Sequence, residues 1–275
     1  MIVTAAAAAS ALIVLMELPI PSLWEPLAAC GALVAVSFLW QPNLLRGLAT
    51  LVGFSAAFTI LMEAIAATGM PLVDHWLLAA DAALGLSAPA TVALIAQYPA
   101  LALFFKLAYF SAIPQTAILL LISAEQATLW LFLRRFMLAA LFTVCCFYFA
   151  PAEGVSTSVT PGIAERFHAL RAGADLDWQR AEGIITFPSF HTAWALLLIA
   201  SFWHTRLRWP VLAMNVAMIA STVTTGGHYY VDVLAGAVVA AVVLRQPCTI
   251  HARLPRTIDL KAIFGRVRRL RIPLP

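Results

Sequence analysis

Long apolar segments separated by short polar stretches occupy most of the chain. Eight of them approach the length of about 17–25 residues that a helix needs to cross a bilayer. They cover residues 2–18, 24–40, 47–68, 100–123, 129–150, 188–203, 209–225 and 228–245. The pattern predicts an all-α polytopic transmembrane helix bundle of about eight spans. Seven or six spans are alternatives, because some segments are short and the stretch 90–99 can extend the fourth.

Composition points to the same class of protein. Hydrophobic residues make up 63% of the chain and charged residues 11%, against roughly a quarter charged in soluble domains. The mean hydropathy is +0.91. These values exclude an ordinary soluble domain and predict an integral membrane protein. The first apolar run has no cationic start and no clear cleavage site, so it is interpreted as a retained span.

The chain shows no internal repeat and no linker that would divide it. We therefore expect a single transmembrane domain over residues 1–250 and a basic cytoplasmic tail over residues 251–275. The tail interleaves cations with apolar residues, which is typical of a segment that rests on an anionic membrane surface. Membrane lipids are the expected partners and nucleic acid is not. The pattern leaves the oligomeric state open.

Cationic residues set the expected orientation in the membrane. If the spans alternate, most of the arginines between them fall on one side, together with the basic tail: Arg46, Arg134, Arg135, Arg206, Arg208 and Arg245. The positive-inside rule makes that side cytoplasmic. Both termini are then cytoplasmic, and the segments 69–99 and 151–187 face outward. In a bacterial inner membrane, the expected location, that side is the periplasm.

A histidine and an aspartate open the last apolar segment. His228 and Asp232 are four residues apart, so their side chains share one face if a helix starts at His228. The carboxylate can then fix the imidazole tautomer and leave the other ring nitrogen as a nucleophile. The preceding Gly226 and Gly227 permit unusual backbone conformations, and N–H groups at a helix start suit an anion such as phosphate.

A second histidine begins the span predicted at 188–203. His191 follows Pro188 and Ser189, so a hydroxyl and unpaired N–H groups lie beside its imidazole. Both histidines begin helices that run inward, so both are expected at the outer face. We assign His191 the role of general acid to a leaving oxygen. For His191 taken alone, a polar residue that caps a helix is the alternative.

In these two stretches the chain resembles the type 2 phosphatidic acid phosphatase (PAP2) superfamily of membrane lipid phosphatases and phosphotransferases. The family motif Pro-Ser-Gly-His is matched at residues 188–191, with Phe190 in place of glycine. The motif Ser-Arg-x5-His-x3-Asp is matched at residues 221–232, with Thr222 in place of arginine. Phe190 and the run Gly-Gly-His-Tyr-x-x-Asp look more like the inositol-phosphotransferase (Aur1-like) branch.

The resemblance implies roles, a fold and a substrate class. It implies His228 as the nucleophile that forms a phosphohistidine, Asp232 as its partner and His191 as the acid. It also implies a six-helix catalytic core at about 90–245, preceded by extra N-terminal helices. The implied substrate is a lipid phosphate or pyrophosphate, and the chemistry requires no metal and no other cofactor.

The acceptor of the phosphoryl group decides the reaction. Water gives a phosphatase, whereas a lipid or polyol hydroxyl gives a phosphotransferase of the inositol-phosphoceramide-synthase kind. Both reactions share the same first step, so the residues alone do not choose between them. A non-catalytic membrane transporter or scaffold is the alternative from another class.

The cationic residues of the family motifs are not intact in this chain. Thr222 replaces the phosphate-binding arginine, and the first motif, Lys-x6-Arg-Pro, survives only in parts. A transferring phosphoryl group still needs positive charge and hydrogen-bond donors. The candidate phosphate-binding residues are Ser189, Gly227, Lys106, Arg171 and Arg180. Lys106 can instead snorkel to the headgroups, and both arginines can be ordinary solvated loop charges.

Other polar residues receive structural interpretations. Asp74 and Asp81, within an apolar stretch of the segment 69–99, predict a short interfacial helix that shapes lipid access. The remaining histidines lack the spacing of metal ligands: His75, His168, His204 and His251. We therefore expect no metal site.

Overall fold

The computed structural model describes residues 42–123, 127–155, 161–176 and 183–246, and within these ranges every regular element is a helix. In chain order the helices are α1 (Pro42–Ala66), α2 (Asp74–Ala83), α3 (Ala88–Ala96), α4 (Pro99–Phe110), α5 (Ala112–Ser123), α6 (Ala127–Phe149), α7 (Pro161–Arg171), α8 (Phe190–Phe202), α9 (Arg208–Thr224) and α10 (Tyr230–Arg245). The predicted all-α class is confirmed. The spans predicted at 2–18 and 24–40 and the basic tail lie outside the described residues.

Three stretches of the described chain are long and apolar enough to cross a membrane: Asn43–Ala66, Pro99–Ser123 and Ala127–Phe149. Helices α2 and α3 pass the same test as a pair, but they bend by 86° at their junction, as a broken span or a re-entrant loop does. By length and composition, the described residues therefore hold three or four candidate spans, where the sequence predicted six.

The difference lies in the last three helices. Helices α8, α9 and α10 have 13, 17 and 16 residues. At a rise of about 1.5 Å per residue they are shorter than the roughly 30 Å hydrocarbon core of a bilayer. They are short because the chain leaves the helical conformation at 183–189 and 225–229, the two segments that carry or adjoin the candidate site residues.

Local sequence explains where α3, α4 and α5 begin. The Ser87 hydroxyl accepts the N–H of Ala90 at 3.3 Å and caps α3. Pro99 occupies the first turn of α4, where its missing N–H removes no helical hydrogen bond. Ser111 separates α4 from α5, and its hydroxyl donates to the Ala108 carbonyl at 2.6 Å.

Helix α6 packs against α1, α8 and α10 in the main apolar core. Its Phe136 meets Phe190 and Trp194 of α8 edge to face, with ring centroids 5.2 and 5.1 Å apart. Aromatic pairs of this kind contribute about 0.5–1.5 kcal/mol beyond the burial of their surface. This packing anchors α8, the helix that carries His191, to the core of the bundle.

Two side-chain hydrogen bonds link α5 to α8 and α9. Trp194 Nε1 donates to Thr116 Oγ1 at 2.9 Å. Asn215 Nδ2 donates to Gln115 Oε1 at 2.6 Å. Interhelical hydrogen bonds in a lipid environment contribute about 0.6 kcal/mol each on average. Helix α5 is thereby tied to two helices that adjoin the candidate site.

A buried ion pair docks α7 on α1. Arg166 Nε donates to Glu63 Oε1 at 2.8 Å, and the two side chains are 8% and 1% exposed. A terminal guanidinium nitrogen of Arg166 also donates to the Asp175 carbonyl at 2.8 Å. Removing one partner of a buried pair leaves an uncompensated charge and is strongly destabilising, so this contact fixes α7 on the bundle.

Candidate active site

The structure brings His191 and His228 together. Their ring centroids lie 6.5 Å apart, with the ring planes at 61°. His191 lies in the first turn of α8, and His228 lies two residues before α10. The backbone joins the two segments directly, because the Ser189 N–H donates to the Asp232 carbonyl at 3.0 Å. The two histidine-bearing segments therefore form one site.

Gly236 allows α10 to approach the start of α8 this closely. A Cβ added at Gly236 would lie 2.3 Å from the Ser189 carbonyl oxygen and 3.1 Å from Thr192 Cβ. Real Cβ atoms essentially never come within 3.0 Å of another atom, so a larger residue would push the two segments apart. The sequence analysis did not single out Gly236. Its position one helical turn after Asp232 is the signal that could have found it.

A backbone carbonyl makes the short hydrogen bond to His228. Nδ1 of His228 lies 2.7 Å from the Thr186 carbonyl oxygen. A carbonyl oxygen can only accept, so Nδ1 carries the proton and the lone pair of Nε2 is left for chemistry. Thr186 could not be found from side-chain patterns, because any residue supplies a carbonyl.

Asp232 lies on the same side of the imidazole but farther away. Its Oδ2 is 3.6 Å from His228 Nδ1 and accepts the Tyr229 N–H at 2.7 Å. The sequence analysis assumed a helix starting at His228, whereas α10 begins at Tyr230. The carboxylate therefore closes the N-terminus of α10 and adds negative charge beside the ring. Its second oxygen, Oδ1, is buried and has no hydrogen-bond partner among the described residues.

Tyr109 of α4 covers the imidazole of His191. Its hydroxyl lies 3.1 Å from His191 Nδ1, and the two rings stack with centroids 4.0 Å apart. The hydroxyl can donate to Nδ1, which places the proton of a neutral His191 on Nε2. Ser189 caps α8, because its Oγ accepts the N–H of Thr192 at 3.3 Å. Tyr109 was not among the residues predicted from the sequence, although Lys106, one turn earlier in the same span, was a candidate.

Carboxylates already occupy the N-terminus of α10. Asp81 accepts the N–H groups of Tyr230 and Val231 at 3.0 and 2.9 Å, and Asp232 accepts that of Tyr229. The sequence analysis expected these N–H groups to be free for phosphate. The structure differs because a helix start attracts any nearby anion, and Asp81 from α2 meets that requirement.

The loop that follows α6 packs against the Gly226–Gly227 turn. Gly226 has a φ of +84° and Gly154 a φ of +85°, a region that favours glycine. A Cβ added at Gly154 would lie 2.7 Å from the Gly227 carbonyl oxygen. The chain that leads to His228 is therefore held by backbone-to-backbone contact.

The remaining predicted phosphate-binding residues lie in different surroundings. Lys106 is exposed on α4, one helical turn before Tyr109. Arg171, the last residue of α7, donates to the Met70 carbonyl and covers the Phe167 ring at 4.6 Å. Arg180 lies outside the described residues. Ser189 and Gly227 adjoin the histidines, so the structure groups these two with the site and engages Arg171 elsewhere.

Thr222, at the position of the family arginine, is fully buried. Its hydroxyl donates to the Ile219 carbonyl at 2.7 Å. Across the described residues, no group of three or more His, Cys, Asp or Glu side chains is arranged to hold a metal ion.

Residues 75–245, more than half of the chain, match the family model described as the PAP2 superfamily. The chain belongs to the PAP2 superfamily. The apolar helices indicate an integral membrane protein. The superfamily predicted from the two motifs is confirmed. The PAP2 match begins in α2, so the bent pair α2–α3 lies in the family region together with both histidines.

One curated protein with sequence similarity is the uncharacterized protein MJ0662 of Methanocaldococcus jannaschii. It is 29% identical to this chain over 86 residues, which are 31% of this chain and 36% of the relative. The chain therefore spans about a third of the length of the curated relative that it matches. No solved structure matches the chain.

Proposed function

We propose that this PAP2 protein cleaves a phosphoester or pyrophosphate bond of a lipid through a phosphohistidine on His228. The observation that carries the proposal is the pair of imidazoles 6.5 Å apart, each engaged through Nδ1. Both Nε2 atoms are then free for chemistry. The chemistry requires a phosphoryl group between the two rings, with its reacting atoms about 3–3.5 Å from the nucleophile and the acid.

In the first step, His228 Nε2 attacks the phosphorus and a nitrogen–phosphorus bond forms. The bond from phosphorus to the leaving oxygen breaks. His191, protonated on both ring nitrogens at this stage, donates its Nε2 proton to that oxygen and becomes neutral. The adduct places positive charge on the His228 ring. The carboxylate of Asp232, 3.6 Å from Nδ1, stabilises this charge.

In the second step, an acceptor hydroxyl attacks the phosphorus. His191, now neutral, removes the proton from the acceptor as the nitrogen–phosphorus bond breaks, which regenerates both histidines. Water as acceptor releases phosphate, and this hydrolysis is the reaction we propose. The phosphate-binding candidates that adjoin the histidines are Ser189 and Gly227. Lys106 is a candidate cation because its helix also carries Tyr109, which contacts His191.

Transfer to a lipid or polyol hydroxyl is the second candidate reaction. It rests on the Phe190 form of the motif, which resembles the inositol-phosphotransferase branch. The Phe190 ring packs into the aromatic core against Phe136 and Phe58, with centroids 5.2 and 6.0 Å away. Its contacts are with the core, so the transfer reaction rests on the motif resemblance and not on a contact of the Phe190 ring.

The distribution of cations supports an extracytoplasmic site in an inner membrane. Helix α10 runs from Tyr230, beside the histidines, to Arg245 at its far end. There Arg135 donates to the Leu244 carbonyl at 3.3 Å. The positive-inside rule assigns that arginine-bearing end to the cytoplasm, which leaves the histidines at the periplasmic face and is compatible with cytoplasmic termini.

The proposal is tested with purified protein in lipid–detergent micelles. Phosphatidic acid, a polyprenyl pyrophosphate and a phosphoinositide are supplied in turn, and released phosphate and new lipid products are both measured. We expect turnover by the wild type, none by His228→Ala, and normal turnover by His204→Ala. His204 is a matched control because it is exposed and lies beyond the opposite end of α8.

Wild-type turnover that survives His228→Ala contradicts the mechanism. New lipid products in place of released phosphate favour the transfer reaction. Binding of lipid without any turnover favours the transporter or scaffold alternative.

A further inference from the structure

Asp81 on α2 caps a helix that belongs to another part of the chain. Its side chain is 1% exposed, and each of its oxygens accepts one N–H at the start of α10, from Tyr230 and from Val231. A cap is ordinarily supplied by the residue just before its helix. Here the carboxylate comes from the bent pair α2–α3, so the position of α10 is fixed relative to α2.

Asp74, at the start of α2, binds Tyr229 and the loop that follows α6. It accepts the Tyr229 hydroxyl at 2.9 Å. It also accepts the N–H groups of Glu153 and Gly154 at 3.1 and 3.0 Å. Gly154 in turn abuts the Gly227 carbonyl. Two carboxylates of one short helix thus bind the three residues that follow His228, and Asp74 also binds the loop that packs against Gly227.

Such an arrangement is unexpected in a site for an anionic substrate. Buried carboxylates are costly unless they are hydrogen-bonded, and negative charge near the site opposes phosphate binding. Hydrogen bonds from backbone N–H groups to carboxylates are charge-assisted and short. They offset the cost of burial and give the backbone that follows His228 a defined position.

We propose that Asp81 and Asp74 are positioning residues for His228. By holding Tyr229, Tyr230 and Val231, they keep His228 Nδ1 on the Thr186 carbonyl and therefore keep Nε2 as the unprotonated nitrogen. Helix α2 then helps to position the nucleophile. This role rests on the proposed function, because it matters for turnover only if His228 is the nucleophile.

The test compares Asp81→Asn with Glu63→Gln. Both wild-type side chains are buried carboxylates, 1% exposed, but Glu63 pairs with Arg166. An asparagine presents one acceptor oxygen and one donor group, so Asp81→Asn loses one of the two N–H bonds. We expect kcat to fall about 10- to 100-fold with KM changed less than about twofold, since small misplacements of a nucleophile have effects of this size. Glu63→Gln is expected to lower the unfolding midpoint and to leave the kcat of folded protein unchanged.

A second readout does not depend on turnover. Nitrogen NMR of isotope-labelled histidine reports which ring nitrogen of His228 carries the proton. We expect the Nδ1–H tautomer in the wild type and in Glu63→Gln, and a mixture of tautomers in Asp81→Asn. His228→Ala identifies the signal by its loss.

The outcomes separate the two proposals. Normal kcat and an unchanged His228 tautomer in Asp81→Asn overturn the positioning role and leave the proposed function intact. If the His228 tautomer changes in Asp81→Asn but the wild type turns over none of the lipids, the positioning role stands and the proposed function is overturned. If Asp81→Asn does not fold, Tyr229→Phe decides. That variant removes only the hydroxyl bound by Asp74. The positioning role then requires a smaller fall in kcat and a smaller change in the His228 tautomer than in Asp81→Asn.

Discussion

The N-termini of α8 and α10 each adjoin a histidine, yet they are closed in different ways. Helix α8 is capped by the neutral hydroxyl of Ser189, whereas α10 is closed by the carboxylates of Asp232 and Asp81. His228 therefore lies beside negative charge and His191 beside neutral groups. The difference matches the proposed roles, because the phosphohistidine adduct is cationic and needs an anion close to it.

The largest expected effect distinguishes the roles of the two histidines by using substrates with different leaving groups. His191→Ala is expected to slow cleavage of an alkyl phosphoester about 10²- to 10⁴-fold, because the alkoxide then leaves without a proton. A nitrophenyl ester of the same lipid phosphate leaves without protonation, so the loss there should be far smaller. His228→Ala should abolish both reactions. Equal losses on both substrates in His191→Ala would show that His191 is not the acid.

A second prediction concerns the point where the two helix starts touch. Gly236→Ala places a Cβ against the Ser189 carbonyl, and we expect a loss of about 1–3 kcal/mol in the free energy of unfolding, as for other overpacked sites, with a fall in kcat. Gly47→Ala in α1 is the matched control. Its Cβ would lie nearest to the Leu129 side chain, at 3.1 Å, and not to a backbone atom. Thermal unfolding and turnover that are the same in both variants would contradict a spacing role for Gly236.

The smallest effect is expected from Tyr109→Phe. The variant keeps the ring on His191 and removes one hydrogen bond, worth about 0.5–1.5 kcal/mol, so we expect a loss of about 2- to 10-fold on the alkyl ester only. Tyr98→Phe, an exposed tyrosine at the start of α4, serves as control. A loss of the same size on the nitrophenyl ester would indicate a general packing role for Tyr109.

Sequence alone was enough to predict the helical class, the superfamily and the segments that meet at the site. These features depend on apolar run length and on short motifs, which are local. The Thr186 carbonyl could not be predicted, since it depends on backbone position and not on side-chain type. The Asp81 cap escaped prediction for a related reason. Asp81 and Val231 are far apart in sequence, and an acid in an apolar segment is equally compatible with a membrane interface, which is where the sequence analysis placed it.

The bend between α2 and α3 could not be predicted from the sequence either. The segment 69–99 reads as an outer loop with a short helix, because neither half alone is long enough to count as a span. Tertiary contacts, such as those of Asp74 with Tyr229 and Gly154, hold α2 beside the site, and the sequence pattern does not reveal them.

The hydrogen bonds from α5 to Trp194 and Asn215 have a practical consequence for handling the protein. Water competes poorly for donors and acceptors inside an apolar bundle. We therefore expect these hydrogen bonds to persist when native lipid is replaced by a mild detergent. Trp194 is one turn from His191, and Asn215 is buried in α9. A solubilised sample that retains both bonds is therefore expected to keep its imidazoles at their native separation.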